Sequence, residues 1–142
     1  MRLTLALLPQ MLERDWGHIV NVGSSGTREF APSTGSYVAA KAALDAFTEA
    51  LYIDLAPTNV RSHLVVPGRT ATEFGAPRQD QEPPFPIDPE SLDTAETVAD
   101  TILACLDTDD FETYPNDRVH AACQEKRADP NGYLQTRRDW FR

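Results

Sequence analysis

This sequence of 142 residues is short of cysteine, histidine and basic charge, and each shortage removes a class of function. Cys105 and Cys123 are the only cysteines and show no Cys-x-x-Cys spacing, while His18, His63 and His120 are scattered. That pattern predicts no metal site, and it predicts reduced thiols packed as small hydrophobes. There are 13 Lys and Arg against 22 Asp and Glu, for a net charge of −9. A surface so acidic makes nucleic acid or an anionic membrane a poor partner. Long apolar runs are missing as well. Leu3 to Leu8 comes nearest, but Pro9 follows and no small-residue cleavage site does, so neither a signal peptide nor a membrane span fits. A cytoplasmic protein is the expectation. Two sequence devices are also absent: Gly-x-x-x-x-Gly-Lys occurs nowhere, and Gly23-Ser24-Ser25-Gly26 lacks the Gly-x-Ser-x-Gly spacing of a hydrolase nucleophile elbow.

What remains is 41% hydrophobic, enough for one ordinary domain with a buried core. Apolar residues at 3, 5, 7, 8, 11 and 12 predict an amphipathic helix over 2–14, kinked at Pro9. Residues 18–22, with Ile19, Val20 and Val22, read as a short central parallel strand apolar on both faces, and 60–66, ending in Leu64-Val65-Val66, as the next strand. Between them, 37–55 reads as a long helix with Ser36 as its cap and Pro57 beyond its end. That helix is apolar around most of its girth, so it needs cover on more than one side, the second cover being another subunit. Residues 78–89, rich in proline, acid and glutamine, predict a mobile loop or lid. A capped helix from Asp93 to about Leu106 follows, then a brief strand at 111–114. Two further helices divided at 129–132 and a surface tail over 136–142 complete the reading.

The chemistry concentrates between Ser24 and Lys41. Tyr37 and Lys41 are four apart, which on a helix sets them one turn from each other on one face, with the ammonium near the phenol. A cation so placed favours phenolate and brings a tyrosine toward use as a general acid or base. By itself Tyr-x-x-x-Lys is weak, since roughly one tyrosine in fifteen has such a lysine by chance. Here, however, Lys41 and Lys126 are the only lysines in the chain. Ser24 closes the first strand run, thirteen residues before Tyr37, and Pro67-Gly68 closes the second, with Thr72 five beyond the proline.

That order of strand-end serine, Tyr-x-x-x-Lys, Pro-Gly turn and threonine resembles the short-chain dehydrogenase/reductase family. The resemblance is close over 1–74, loose over 93–107, and fades afterwards. It implies an α/β fold, the C-terminal half of a Rossmann-like doubly wound parallel sheet, with about three strands and flanking helices. It implies hydride transfer between NAD or NADP and a carbonyl or alcohol, on a small-molecule substrate. Ser24, Tyr37 and Lys41 are then the expected catalytic residues, and Tyr37, Lys41, Pro67, Gly68 and Thr72 the cofactor-binding ones. It further implies a homo-oligomer built through helices 2–14 and 37–55, a lid over the substrate, and substrate specificity set by the loop after Pro67-Gly68 and the C-terminal segment, with Phe74, Pro83, Pro84 and Phe85 as the apolar candidates.

The family's glycine-rich dinucleotide turn has no counterpart here, nor do its four preceding strands. The expectation is therefore one partial Rossmann-like domain over 1–142, with a catalytic core half at 1–74, a mobile loop at 76–90 and a C-terminal helical segment at 91–142. Met1 is expected to be an internal methionine of a longer reading frame, and the isolated chain to be inactive. The competing expectation is a truncated, non-catalytic paralogue acting as a dimerising interaction module.

Overall fold

The computed structural model describes residues 1–29, 31, 33–74 and 88–140. The two strand-like runs pair in parallel as β1 (Gly17–Val22) and β2 (Val60–Val65), Gly17 opposite Val60 and Val22 opposite Val65. The two-residue β3 (Glu112–Thr113) adds to β2, also in parallel, for a strand order β1-β2-β3. Parallel neighbours need a crossover, usually helical. α2 (Gly35–Asp54) runs between β1 and β2, and α3 (Ala95–Ala104) between β2 and β3. α1 (Arg2–Glu13) precedes β1, while α4 (Asp117–Ala128) and α5 (Pro130–Trp140) follow β3. The α/β, Rossmann-like reading of the sequence holds, with three strands among the described residues.

The register decides which side chains share a face, because they alternate along each strand. Ile19, Val60 and Leu64 fall on one face. Ile19 and Val60 pack with Leu51 and Leu55 of α2, and Leu8 and Met11 of α1 close over them. Leu64 and Val66 pack instead against Val119 and Cys123 of α4. The opposite face holds His63 and Val65, both buried. Both thiols are free and buried, as expected.

Several local expectations shift. α2 begins at Gly35 with Thr34 as its cap residue, so Ser36 lies inside the first turn and caps nothing. The Thr34 hydroxyl is turned away from the helix and donates to Ala31 O at 2.6 Å. α1 continues through Pro9 as one helix. Thr94 caps α3 by accepting from Thr97 N at 3.1 Å, and Asn116 caps α4 by accepting from Val119 N at 3.0 Å. Proline is favoured at a first helical position, and α5 starts at Pro130, so 136–140 is helix where a tail was expected. Of the loop expected at 76–90, residues 76–87 lie outside the described residues, and with them Pro83, Pro84 and Phe85. Its end is a 3₁₀ turn, Pro89–Ser91. No helix among the described residues is long and apolar enough to cross a membrane.

Candidate active site

The site begins where β1 stops. Gly23 N donates to Val65 O at 2.8 Å and Ser25 N to Pro67 O at 2.9 Å, so the chain stays pinned beside the end of β2 after the strand has ended. Between those two bonds, Ser24 is extended (φ −167°, ψ 140°) at the head of a 3₁₀ turn, Ser25–Thr27. Its Oγ accepts from Gly26 N at 3.1 Å, which leaves the hydroxyl proton free to donate.

Tyr37 is the third residue of α2 and is half-buried. A Cβ built on Gly26 would lie 3.2 Å from Ser24 Oγ and 3.6 Å from Tyr37 Cε1, so serine and tyrosine flank the same glycine. The Tyr37 ring also meets Phe74, with centroids 5.8 Å apart. Lys41, one turn on, donates from Nζ to Val22 O at 2.8 Å. The sequence reading directed this ammonium at the phenol and the cofactor; the structure also ties it to the strand end, where a backbone carbonyl needs a donor. An ammonium has three N–H donors, and this bond uses one.

Pro67 and Gly68 leave the C-terminal end of β2 next to Ser24. Gly68 is glycine for a packing reason: a Cβ there would come within 2.8 Å of Val119 Cγ2 and 3.3 Å of Asp93 Oδ2. Thr72 is exposed, and its hydroxyl accepts from Phe74 N at 3.3 Å, a local turn contact. The structure thus gathers Ser24, Tyr37, Lys41 and the Pro67-Gly68 turn at the C-terminal ends of β1 and β2. Among the described residues, Thr72 is linked to that group through Phe74, whose ring meets Tyr37.

The sequence reading missed the polar groups that hold this arrangement. Arg28, 9% exposed, donates through Nη1 to Asp45 Oδ2 and Thr27 Oγ1, and through Nη2 to Glu112 Oε1. Arg127 reaches Glu112 Oε2 at 3.2 Å, so two cations alternate with two carboxylates from α2 to α4. Burial opposes the Arg28 charge, but the Asp45 hydrogen bond and the Glu112 and Asp45 charges outweigh it and raise the guanidinium pKa. Thr27 Oγ1 lies 2.7 Å from Asp45 Oδ2 and 2.9 Å from Ser24 O. Asp93 performs a similar service for the second loop. Its backbone bonds Arg69 O and Ala71 N, each at 2.8 Å, while its Oδ1 accepts from Asn116 at 2.7 Å and Arg118 at 3.0 Å. The only sequence signal for any of these was Asp45 recurring at the spacing of Tyr37 and Lys41.

Two clefts, of about 450 and 620 Å³, lie at the other end of the sheet, lined by Trp16, His18 and Leu106 together with Asp15 and Arg61 or Met11 and Val20. The convergent hydroxyl, phenol and ammonium are not in them. Ligands of open parallel sheets bind outside the carboxyl ends of the strands, which is where those three groups stand. The donor set there fits the ribose and nicotinamide end of a dinucleotide: an ammonium with N–H donors to spare for a diol, beside a hydroxyl and a phenol. No described residue forms a glycine-rich turn for a pyrophosphate.

A model of the short chain dehydrogenase family matches residues 1–83, and the chain belongs to that family. An uncharacterized oxidoreductase of Mycobacterium tuberculosis (strain ATCC 25618 / H37Rv) is 48% identical over 60 residues, 42% of this chain and 18% of its own. Another uncharacterized oxidoreductase, from Myxococcus xanthus, is 38% identical over 99 residues, 69% of this chain and 38% of its own. A short chain dehydrogenase from Burkholderia cenocepacia, solved in complex with NADP, superposes with a TM-score of 0.74 at 29% identity, covering 94% of this chain and 53% of that one. The chain therefore spans about half the length of that solved relative, and less of the curated ones.

Proposed function

We propose that this chain carries the proton-handling half of an NAD- or NADP-dependent oxidoreductase acting on a small carbonyl or alcohol. The observation that carries the reading is the convergence of Ser24 Oγ and the Tyr37 ring on Gly26, with Lys41 held one turn below at the end of β1. A nicotinamide cofactor would supply the hydride. In the reduction direction Tyr37 gives its phenolic proton to the substrate oxygen as the carbonyl carbon gains hydride, and the C=O double bond becomes C–H and O–H. Ser24 donates a hydrogen bond to the same oxygen while charge builds on it, and Lys41 favours the phenolate left behind and meets the ribose hydroxyls. Pro67, Gly68 and Thr72 line the nicotinamide side. The adenine and pyrophosphate side is bound by residues outside those described, in a cytoplasmic enzyme.

Replacing Tyr37 by Phe in the protein that carries this chain removes the proton donor and leaves the ring against Phe74. Turnover should drop about a hundredfold or more while cofactor affinity holds. Unchanged turnover would sink the assignment.

The exposed apolar side chains on α1 and α2, Leu3 at 72% and Ile53 at 71%, favour a second reading in which the motifs are idle and the chain pairs with itself or with an intact relative. Titration of the chain with NADH and NADPH by fluorescence separates the two. Saturable binding supports the oxidoreductase and counts against the interaction module.

A further inference from the structure

Ser24 hangs on a short turn, and Tyr37 and Lys41 ride on a helix, so something must fix the distance between the two pieces. α2 grips the serine segment at two points. Lys41 Nζ bonds Val22 O, two residues before Ser24, at 2.8 Å. Asp45, one helical turn beyond Lys41, takes Arg28, four residues after Ser24. Ser24 lies between the grips.

The second grip is built for precision. Asp45 is 5% exposed and Arg28 9%, so neither charge can relax into water. Thr27 Oγ1, 2.9 Å from Ser24 O, also stands 2.7 Å from Asp45 Oδ2, which links the serine's own backbone to the helix carboxylate. The turn itself is closed by Arg28 N donating to Ser25 O at 2.7 Å. Room for the carboxylate exists only because residue 23 is glycine: a Cβ there would lie 2.8 Å from Asp45 Oδ1 and 3.1 Å from Leu64 Cδ1. Arg28 is in turn held from behind by Glu112, which Arg127 also holds.

We propose that the buried Arg28–Asp45 pair is a positioning device for the reaction, setting Ser24 against Tyr37 and Lys41 by clamping the serine turn to α2 through Thr27. The proposal rests on the oxidoreductase reading for its catalytic consequence, and on geometry alone for its structural one. Neither residue is a catalytic residue, since both act through Ser24.

Two measurements test it. In the 142-residue chain, amide hydrogen exchange is compared between the native sequence and Asp45→Asn, which keeps shape and removes charge. Exchange at residues 25–28 should quicken about tenfold more than that of β2. Unaltered exchange at 25–28, or equal quickening throughout β2, overturns the clamp. Thr27→Val, which keeps both charges of the ion pair and removes the hydroxyl's bonds to Ser24 O, Asp45 and Arg28, should give a smaller change at the same amides and serves if Asp45→Asn fails to fold.

The second measurement uses the active protein that carries the chain and compares kcat in a double-mutant cycle of Asp45→Asn with Ser24→Ala. A misplacement of about 1 Å costs on the order of a hundredfold, so Asp45→Asn should lower kcat strongly in the native background and hardly at all once Ser24 is alanine. Equal losses in both backgrounds overturn the positioning role even if the thermal midpoint drops. No loss from Ser24→Ala alone overturns the reaction assignment instead.

Discussion

Histidine chemistry gives the residue scale its clearest case outside the site. His18 Nδ1 and His63 Nε2 are 3.0 Å apart, with ring planes within 8° and centroids 5.2 Å apart, so the imidazoles meet nearly edge to edge through one shared hydrogen bond. Across it one ring donates and the other accepts, and protonating both facing nitrogens breaks it. His63 is 2% exposed. Burial above all holds its pKa below the ordinary value of 6.5, with the His18 and Arg61 charges acting in the same direction and the Asp110 carbonyl and Asp109 opposing. The folded protein therefore binds fewer protons than the unfolded chain in the window just under pH 6.5. Stability is complete above that value and declines as pH falls through it. Thermal midpoints measured downward from about pH 7.5 should fall across this window. His63→Gln should flatten that slope, and an identical slope in the variant would assign the effect to another group.

At the scale of elements, docking of α2 is an electrostatic as well as an apolar matter. Leu51 and Leu55 bury against Ile19 and Val60, while Asp45, a turn and a half nearer the helix start, is committed to Arg28. Taking away one partner of a buried pair leaves an uncompensated charge, at a cost of about 3–5 kcal/mol. Arg28→Met should lose about 3 kcal/mol or more in denaturant unfolding, because Asp45 then has no cation. Adding Asp45→Leu should recover most of the loss, since two apolar groups of similar volume leave nothing unpaired. A double variant no more stable than Arg28→Met would show that Glu112, not Asp45, suffers from the loss of the guanidinium.

For the whole molecule, the notable surface is apolar. Leu3, Leu5, Leu7 and Leu12 of α1 and Tyr52 and Ile53 of α2 are all exposed, and β1 is paired on one side only among the described residues. An unpaired parallel edge and exposed apolar side chains on two helices both call for cover. Self-association should therefore be measurable by sedimentation, and Leu3→Glu with Ile53→Glu should reduce it without lowering the thermal midpoint, since neither side chain is in the core. Association that persists in the double variant would point to the β1 edge as the contact.

The sequence by itself determined what depends on local spacing. Apolar periodicity gave α1 and α2 within two residues, apolar strand-like runs placed β1 and β2, and the capping signal from Asp93 started α3 within two residues of its Ala95. Tyr37 and Lys41 fall at one helical turn, and that too needs only sequence distance. Ser36 was misread as a cap because Thr34 and Ser36 are equally good candidates in a string, and only the folded turn sends the Thr34 hydroxyl to Ala31 O. What the tertiary structure decided is everything that pairs residues far apart in the chain. Arg28 meets Asp45 across 17 positions and Glu112 across 84, Ser25 N finds Pro67 O, and Asp93 ties the β2 loop to α4. Charged side chains in a string carry no mark of their partners, because a carboxylate and a guanidinium have the same periodicity whether solvated or buried. Burial separates the two cases, and burial is a property of the packed sheet and helices.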